Sequence, residues 1–109
     1  MGAQRAAFAR RYRAALLDFL LGGGETALLR GQELGRRALK DGFGPVTVAE
    51  VHHRVLVALL EAERTIGDCT RNVKRAELFL LECLAPFEVA CRGYLELVGS
   101  RGLAVPSEG

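Results

Sequence analysis

The chain has 109 residues, half of them hydrophobic and 26% charged, the size and balance of one globular domain rather than a disordered segment. Six per cent aromatics without tryptophan argue against an aromatic nucleic-acid platform or a β-rich sandwich, and 15 basic against 13 acidic residues leave a net charge of +2, too small to point to a nucleic acid or a membrane. The longest apolar run, Val55–Leu60, falls far short of the ~20 residues that span a bilayer, and the amino end lacks a signal-peptide pattern, so a cytoplasmic protein is expected.

Every patterned stretch carries the 3.6-residue period and none alternates as a strand does. The first helix is predicted over Gln4–Leu21, with Phe8, Tyr12, Ala15, Leu16, Phe19 and Leu20 on one stripe. Arg5, Arg10, Arg11 and Arg13 precede its first acid, Asp18; they read as a solvated face. Gly22-Gly23-Gly24 ends it. A second helix runs from Glu25 to about Lys40 or Asp41, stopped by Gly42, with an inward stripe of Ala27, Gly31, Leu34, Gly35 and Ala38 and a wet face on which Glu33 and Arg37 are spaced as an ion pair. Two glycines inside a helix cost ~1 kcal/mol each relative to alanine, so close approach of another helix is expected there.

Phe43-Gly44-Pro45-Val46 is a turn, and Thr47-Val48-Ala49-Glu50 has the spacing of a capping box. The third helix then runs through about Glu63, with Val48, Val51, His52, Val55, Leu56, Leu59 and Leu60 on its apolar side, and Gly67-Asp68 gives a break with Asp68 as the cap. A long last helix follows to about Val98. Val73, Ala76, Leu80, Leu84, Phe87, Cys91, Tyr94 and Val98 form a near-heptad seam. A second apolar line, Leu78, Leu81, Ala85 and Val89, exceeds what one core needs, and Pro86 between them should kink the helix. Short connections favour antiparallel neighbours. The reading is all-α: an antiparallel four-helix bundle over residues 1–99 with a long, proline-kinked last helix, forming a homodimer through Leu78, Leu81, Ala85 and Val89, and a flexible tail or linker over 100–109.

The sequence holds no catalytic or metal constellation. Glu50 and His53 have the spacing of one half of a carboxylate-bridged di-iron site, but His52 and His53 are the sole histidines, so a second half cannot be built. The only serines, Ser100 and Ser107, lie in the tail, and neither a phosphate-binding loop nor a nucleophile elbow is present. Cys69, Cys83 and Cys91 form no Cys-x-x-Cys pair and read as small buried hydrophobes. The expectation is a non-enzymatic module without metal or cofactor.

Four strings carry a resemblance: Glu33-Leu34-Gly35-Arg36, His52-His53, Phe79-Leu-Leu-Glu-Cys-Leu-Ala-Pro86-Phe87-Glu88 and Arg92-Gly93-Tyr94. Each is weak alone. As an ordered set spanning Phe8–Val98, with a proline inside an apolar helix, they resemble the amino-terminal domain of the RsbU-type phosphatases. Gly31 departs from that pattern, where alanine is expected. The resemblance implies an all-helical homodimer, distantly similar to the helical dimer domain of the clock protein KaiA. It also implies binding of a switch protein kinase of the anti-sigma-factor type, which activates a separate phosphatase domain in a bacterial partner-switching pathway controlling a stress sigma factor. The sequence carries no such phosphatase domain, and its Pro-Ser-Glu-Gly tail reads like the start of a linker. The expected function is therefore protein–protein interaction and dimerisation in stress signalling. Two alternatives are a helical nucleic-acid binder using the first-helix arginines with Arg36-Arg37, and a small-molecule sensor with His52, Tyr12 and Tyr94 as its polar groups.

Overall fold

The computed structural model describes residues 2–62 and 65–100, and every regular element within them is helical: α1 (Gly2–Asp18), a π-type turn (Phe19–Gly23), α2 (Gly24–Lys40), α3 (Pro45–Leu60) and α4 (Ile66–Ser100). The all-α expectation holds. The π-type turn joins α1 to α2 without a loop, but Gly22 inside it takes the non-helical φ of 107°, and the chain changes direction there. Phe19–Leu21, expected to finish the first helix, lies in that turn. The tail expected over 100–109 falls, apart from Ser100, outside the described residues, as does Glu63 at the expected end of the third helix.

Helix ends follow the backbone chemistry, in two cases at residues other than those expected. At the end of α2, Gly42 takes φ 89°, its N–H donates to the Leu39 carbonyl at 3.1 Å, and the Phe43 N–H donates to the Ala38 carbonyl at 2.9 Å. This is a Schellman closure, which needs the left-handed conformation at its glycine. It delivers the Phe43 ring to within 5.7 Å of Phe8. The capping box expected at Thr47–Glu50 does not form. α3 starts earlier, with extended Gly44 as its cap and Pro45 in its first turn, and no side chain caps it. Proline's fixed φ and missing N–H suit that position, and Glu50 instead pairs with Arg5 of α1 at 3.0 Å. At the start of α4 the cap is Thr65, whose hydroxyl accepts from the Asp68 N–H at 3.0 Å; Asp68 sits in the first turn, where its charge suits the helix dipole.

The buried set follows the sequence stripe on three helices, with Phe8, Tyr12, Ala15 and Leu16 on α1, Ala27, Leu34 and Ala38 on α2, and Val48, Val51 and Val55 on α3; Ala76, Phe79 and Cys83 of α4 and Phe19 of the turn complete it. Phe79 is the hub. Its ring lies edge-on to Tyr12 at 5.2 Å and 6.2 Å from Phe19, and Gly31 lies against it.

The largest helix contact is α2 with α4, helices two apart in the chain, which the expected up-down course leaves parallel. Gly31 meets Phe79 and Gly35 meets Cys83, so contacts advance in the same direction along both helices, and the two run parallel. Connected helices still reverse: Asp18 near the end of α1 pairs with Arg30 early in α2 at 3.5 Å. The bare backbone explains why the parallel pair closes so far. A Cβ at residue 35 would fall on the Cys83 carbonyl oxygen, whereas one at residue 31 would meet the Phe79 ring edge at 3.1 Å. Gln32 reinforces the contact by donating to Glu82 Oε1 at 2.6 Å. Arg75 ties α4 to the π turn, its guanidinium 4.5 Å above the Phe19 ring and donating to the Phe19 carbonyl at 3.1 Å.

α4 outruns its companions. At 35 residues and 1.5 Å per residue it is about 52 Å long, close to the 55 Å greatest dimension of the molecule. The radius of gyration of 16.7 Å exceeds the ~13 Å of a compact domain this size for the same reason. Pro86 leaves α4 helical on both sides. Beyond Phe87, every residue from Glu88 to Leu97 is exposed. The expected near-heptad seam is core only in its middle: Ala76 is buried and Leu80, Leu84 and Phe87 are partly covered, but Val73, Cys91 and Tyr94 are exposed. Phe79 and Cys83, outside that seam, take the central places. Cys91 is likewise not the buried hydrophobe expected, while Cys83 is. No helix among the described residues is long and apolar enough to cross a membrane.

Gly35→Ala should lower stability by about 1–3 kcal/mol through overpacking, and Gly35→Leu by at least as much. Gly31→Ala should be tolerated, since an aromatic ring can shift where a backbone carbonyl cannot; urea unfolding of the three variants checks the order. Thr65→Ala should cost about 1 kcal/mol in the same assay by removing the α4 cap.

Candidate interaction surface

The residues picked out by sequence fall in three places. Gly35 and Arg36 lie where α2 meets α4, with Cys83 against Gly35 and Pro86 beside Arg36, while Glu33 lies on the α1 side of α2. Gly35 is the contact itself, Phe87 packs partly buried against the core, and Arg36 and Pro86 line a shallow groove of about 440 Å³ together with Gln32, Leu39, Ala85 and Val89. Glu33 pairs with Arg36 at 3.5 Å, not with Arg37 as its spacing suggested. Arg92 and Tyr94 lie on the projecting part of α4, where Arg92 pairs with Glu88 at 2.8 Å and Tyr94 is exposed.

His52 and His53 occupy the third place, on α3, and do not converge on each other. His53 is exposed. His52 turns inward, where its Nδ1 lies 2.7 Å from the Tyr12 hydroxyl and its ring stands at 88° to the Tyr12 ring. Tyr12 is fully buried. Burial, and then the nearby Cys83, raise its pKa, so it stays protonated and donates. Burial, with the His53 charge second, holds His52 below the ordinary imidazole pKa, so its ring stays neutral and accepts. The Cys83 thiol is pushed up to about 12 by burial, which removes it from nucleophilic chemistry near neutral pH. Among the described residues no group of three or more His, Cys, Asp or Glu could hold a metal ion.

The second apolar line on α4 is exposed. Leu78 is 53% accessible, Leu81 55% and Val89 69%, with Ala85 partly covered between them. None of the four belongs to the buried core. Leu81, Ala85 and Val89, at successive four-residue spacing, share one side of α4, and the groove shared with Leu39 of α2 begins at Ala85. A long helix thus presents an uncovered apolar strip beside an apolar groove.

The family model for the phosphoserine phosphatase RsbU, N-terminal domain, matches residues 10–90. The chain belongs to that family. The matched part is the regulatory amino-terminal domain of those proteins and not their phosphatase domain, and it includes α2, α3, the helix contact at Gly35 and the whole Leu78–Val89 line. No curated protein and no solved structure matches the chain. Sequence reasoning missed Phe79 as the hub and Thr65 as a cap. The Thr65-Ile-Gly-Asp68 spacing was the available signal for the latter.

The unfolded chain protonates its imidazole near pH 6.5, whereas folded His52 takes up its proton only at lower pH. The contribution of His52 is therefore full above the ordinary imidazole range and is lost as pH falls from there through the lower folded value, because the unfolded state binds the proton first. Wild type should lose stability on that descent by thermal melting, and His52→Asn should flatten that part of the pH profile.

Proposed function

We propose that this domain is a non-catalytic dimerisation and docking module of a bacterial stress-signalling regulator in the cytoplasm. It pairs with a second copy through Leu78, Leu81, Ala85 and Val89 of α4 and binds a switch protein kinase of the anti-sigma-factor type. That binding controls a phosphatase acting in a partner-switching pathway. The observation that carries the reading is the exposed leucine and valine line on a helix whose opposite side already fills the core, in a chain whose family is the regulatory domain of RsbU. Uncovered side chains of this kind gain roughly 25 cal/mol per Å² when a partner removes them from water. A symmetric pair places the same strip on both sides of the contact. The groove beside Arg36 and Pro86 supports the same reading, since it continues the strip onto α2.

Leu81→Arg should yield a folded monomer by light scattering, with helicity unchanged by circular dichroism, while wild type runs as a dimer. A wild-type monomer at high concentration, or an unfolded Leu81→Arg, would overturn the assignment of that line. Titration calorimetry against the small anti-sigma-type kinases encoded in the same genome tests the partner, and saturable binding of one of them is expected.

A further inference from the structure

Charge is divided along the chain in a way that the net value hides. Up to Lys40 there are eight basic residues and three acidic ones, and after it seven basic and ten acidic. Three of the eight are used in ion pairs: Arg5 with Glu50, Arg30 with Asp18 and Arg36 with Glu33. Arg10, Arg11, Arg13, Arg37 and Lys40 form no ion pair among the described residues. The excess is focused where α1 and α2 lie side by side. A groove of about 300 Å³ there has Arg11, Arg30 and Arg37 on its rim with Glu33, and an aliphatic floor that includes Ala14 and Leu34. Arg11 and Arg37 are exposed.

We infer that this α1–α2 groove is a docking site for an acidic helical segment of a protein other than a second copy of this chain. A twofold pair centred on the groove would set arginine against arginine, which is repulsive, and pairing with a second copy is already assigned to the α4 strip. The occupant must therefore be unlike this surface, and guanidinium groups above an aliphatic floor select carboxylates carried on an apolar stem. A nucleic acid fits less well: Glu33 on the rim would face phosphates, and Tyr94, the one exposed aromatic among the described residues, lies on α4 and offers the groove no ring for base stacking. The two kinds of sticky surface are thus segregated, apolar side chains on α4 and uncompensated positive charge on α1 and α2. A partner could hold the groove while the α4 strip is occupied. The inference rests on the reading of the domain as a protein-docking module and adds the chemistry of the partner.

The test uses the whole chain and a labelled helical peptide with glutamates spaced at i and i+4, leucines between them and no basic residue, followed by fluorescence anisotropy at low and high salt. Binding at low salt that weakens as salt rises is expected. Arg11→Glu with Arg37→Glu should lose about tenfold or more in affinity. Arg13→Glu with Lys74→Glu changes the net charge equally at exposed positions outside the groove and should stay near wild type. Light scattering should leave the mass of both double variants as in wild type, which separates this site from the α4 strip. Absence of peptide binding, equal losses in the two double variants, or tighter binding of a single-stranded oligonucleotide of matched charge would each overturn the inference. A chain that binds the peptide through Arg11 and Arg37 but none of the kinases would retain the groove and overturn the kinase assignment alone.

Discussion

The structure depends on one close contact, the meeting of α2 with α4 across Gly31 and Gly35. Glycine inside a helix is unfavourable in isolation, and α2 would form more readily without these two. What offsets the cost is proximity. With no Cβ at residue 35 the α4 backbone at Cys83 comes directly against α2, and with none at residue 31 the edge of the Phe79 ring, which also meets Tyr12 and Phe19, packs against α2. The core of a domain with only five phenylalanines is thus organised around one ring that three elements share. Removing that approach would separate α2 from α4 and leave Phe79 with fewer neighbours, which is the packing loss that cores feel most.

Once α2 and α4 run side by side in the same direction, the rest of the shape follows. α1 and α3 fill the remaining sides, linked to each other by Arg5 with Glu50 at the surface and Tyr12 with His52 inside. Three helices of sixteen or seventeen residues cannot cover one of 35, so the far end of α4 projects, and its Leu78–Val89 side stays bare because it faces away from the core that Phe79 and Cys83 fill. The family to which the chain belongs is a regulatory domain, and a helix bundle with surface deliberately left over suits such work better than a closed one.

Two adjacent histidines on a helix point about 100° apart, so one was bound to face the bundle and the other water. His52 faces in because it shares the stripe of Val48, Val51 and Val55, and it is tolerated there because Tyr12 supplies the hydrogen bond that a buried imidazole needs. Position along the stripe was legible in the sequence; the partner, forty residues away, was not.

The sequence by itself determined that the chain is helical, which face of each helix is apolar, that Gly42 stops α2, and that α4 carries more apolar surface than one core uses, because these rest on periodicity and on local backbone chemistry within a few residues. It did not determine that Phe79 and Cys83 rather than Cys91 and Tyr94 would be covered, since that depends on where α2 meets α4 and on how far along α4 a companion helix extends. Nor did it fix the start of α3, where proline geometry at residue 45 prevailed over the side-chain cap at Thr47, or which helix would close onto Gly35. Those outcomes depend on which backbones can approach most closely, and that is settled by the three-dimensional packing of distant segments rather than by any pattern along one of them.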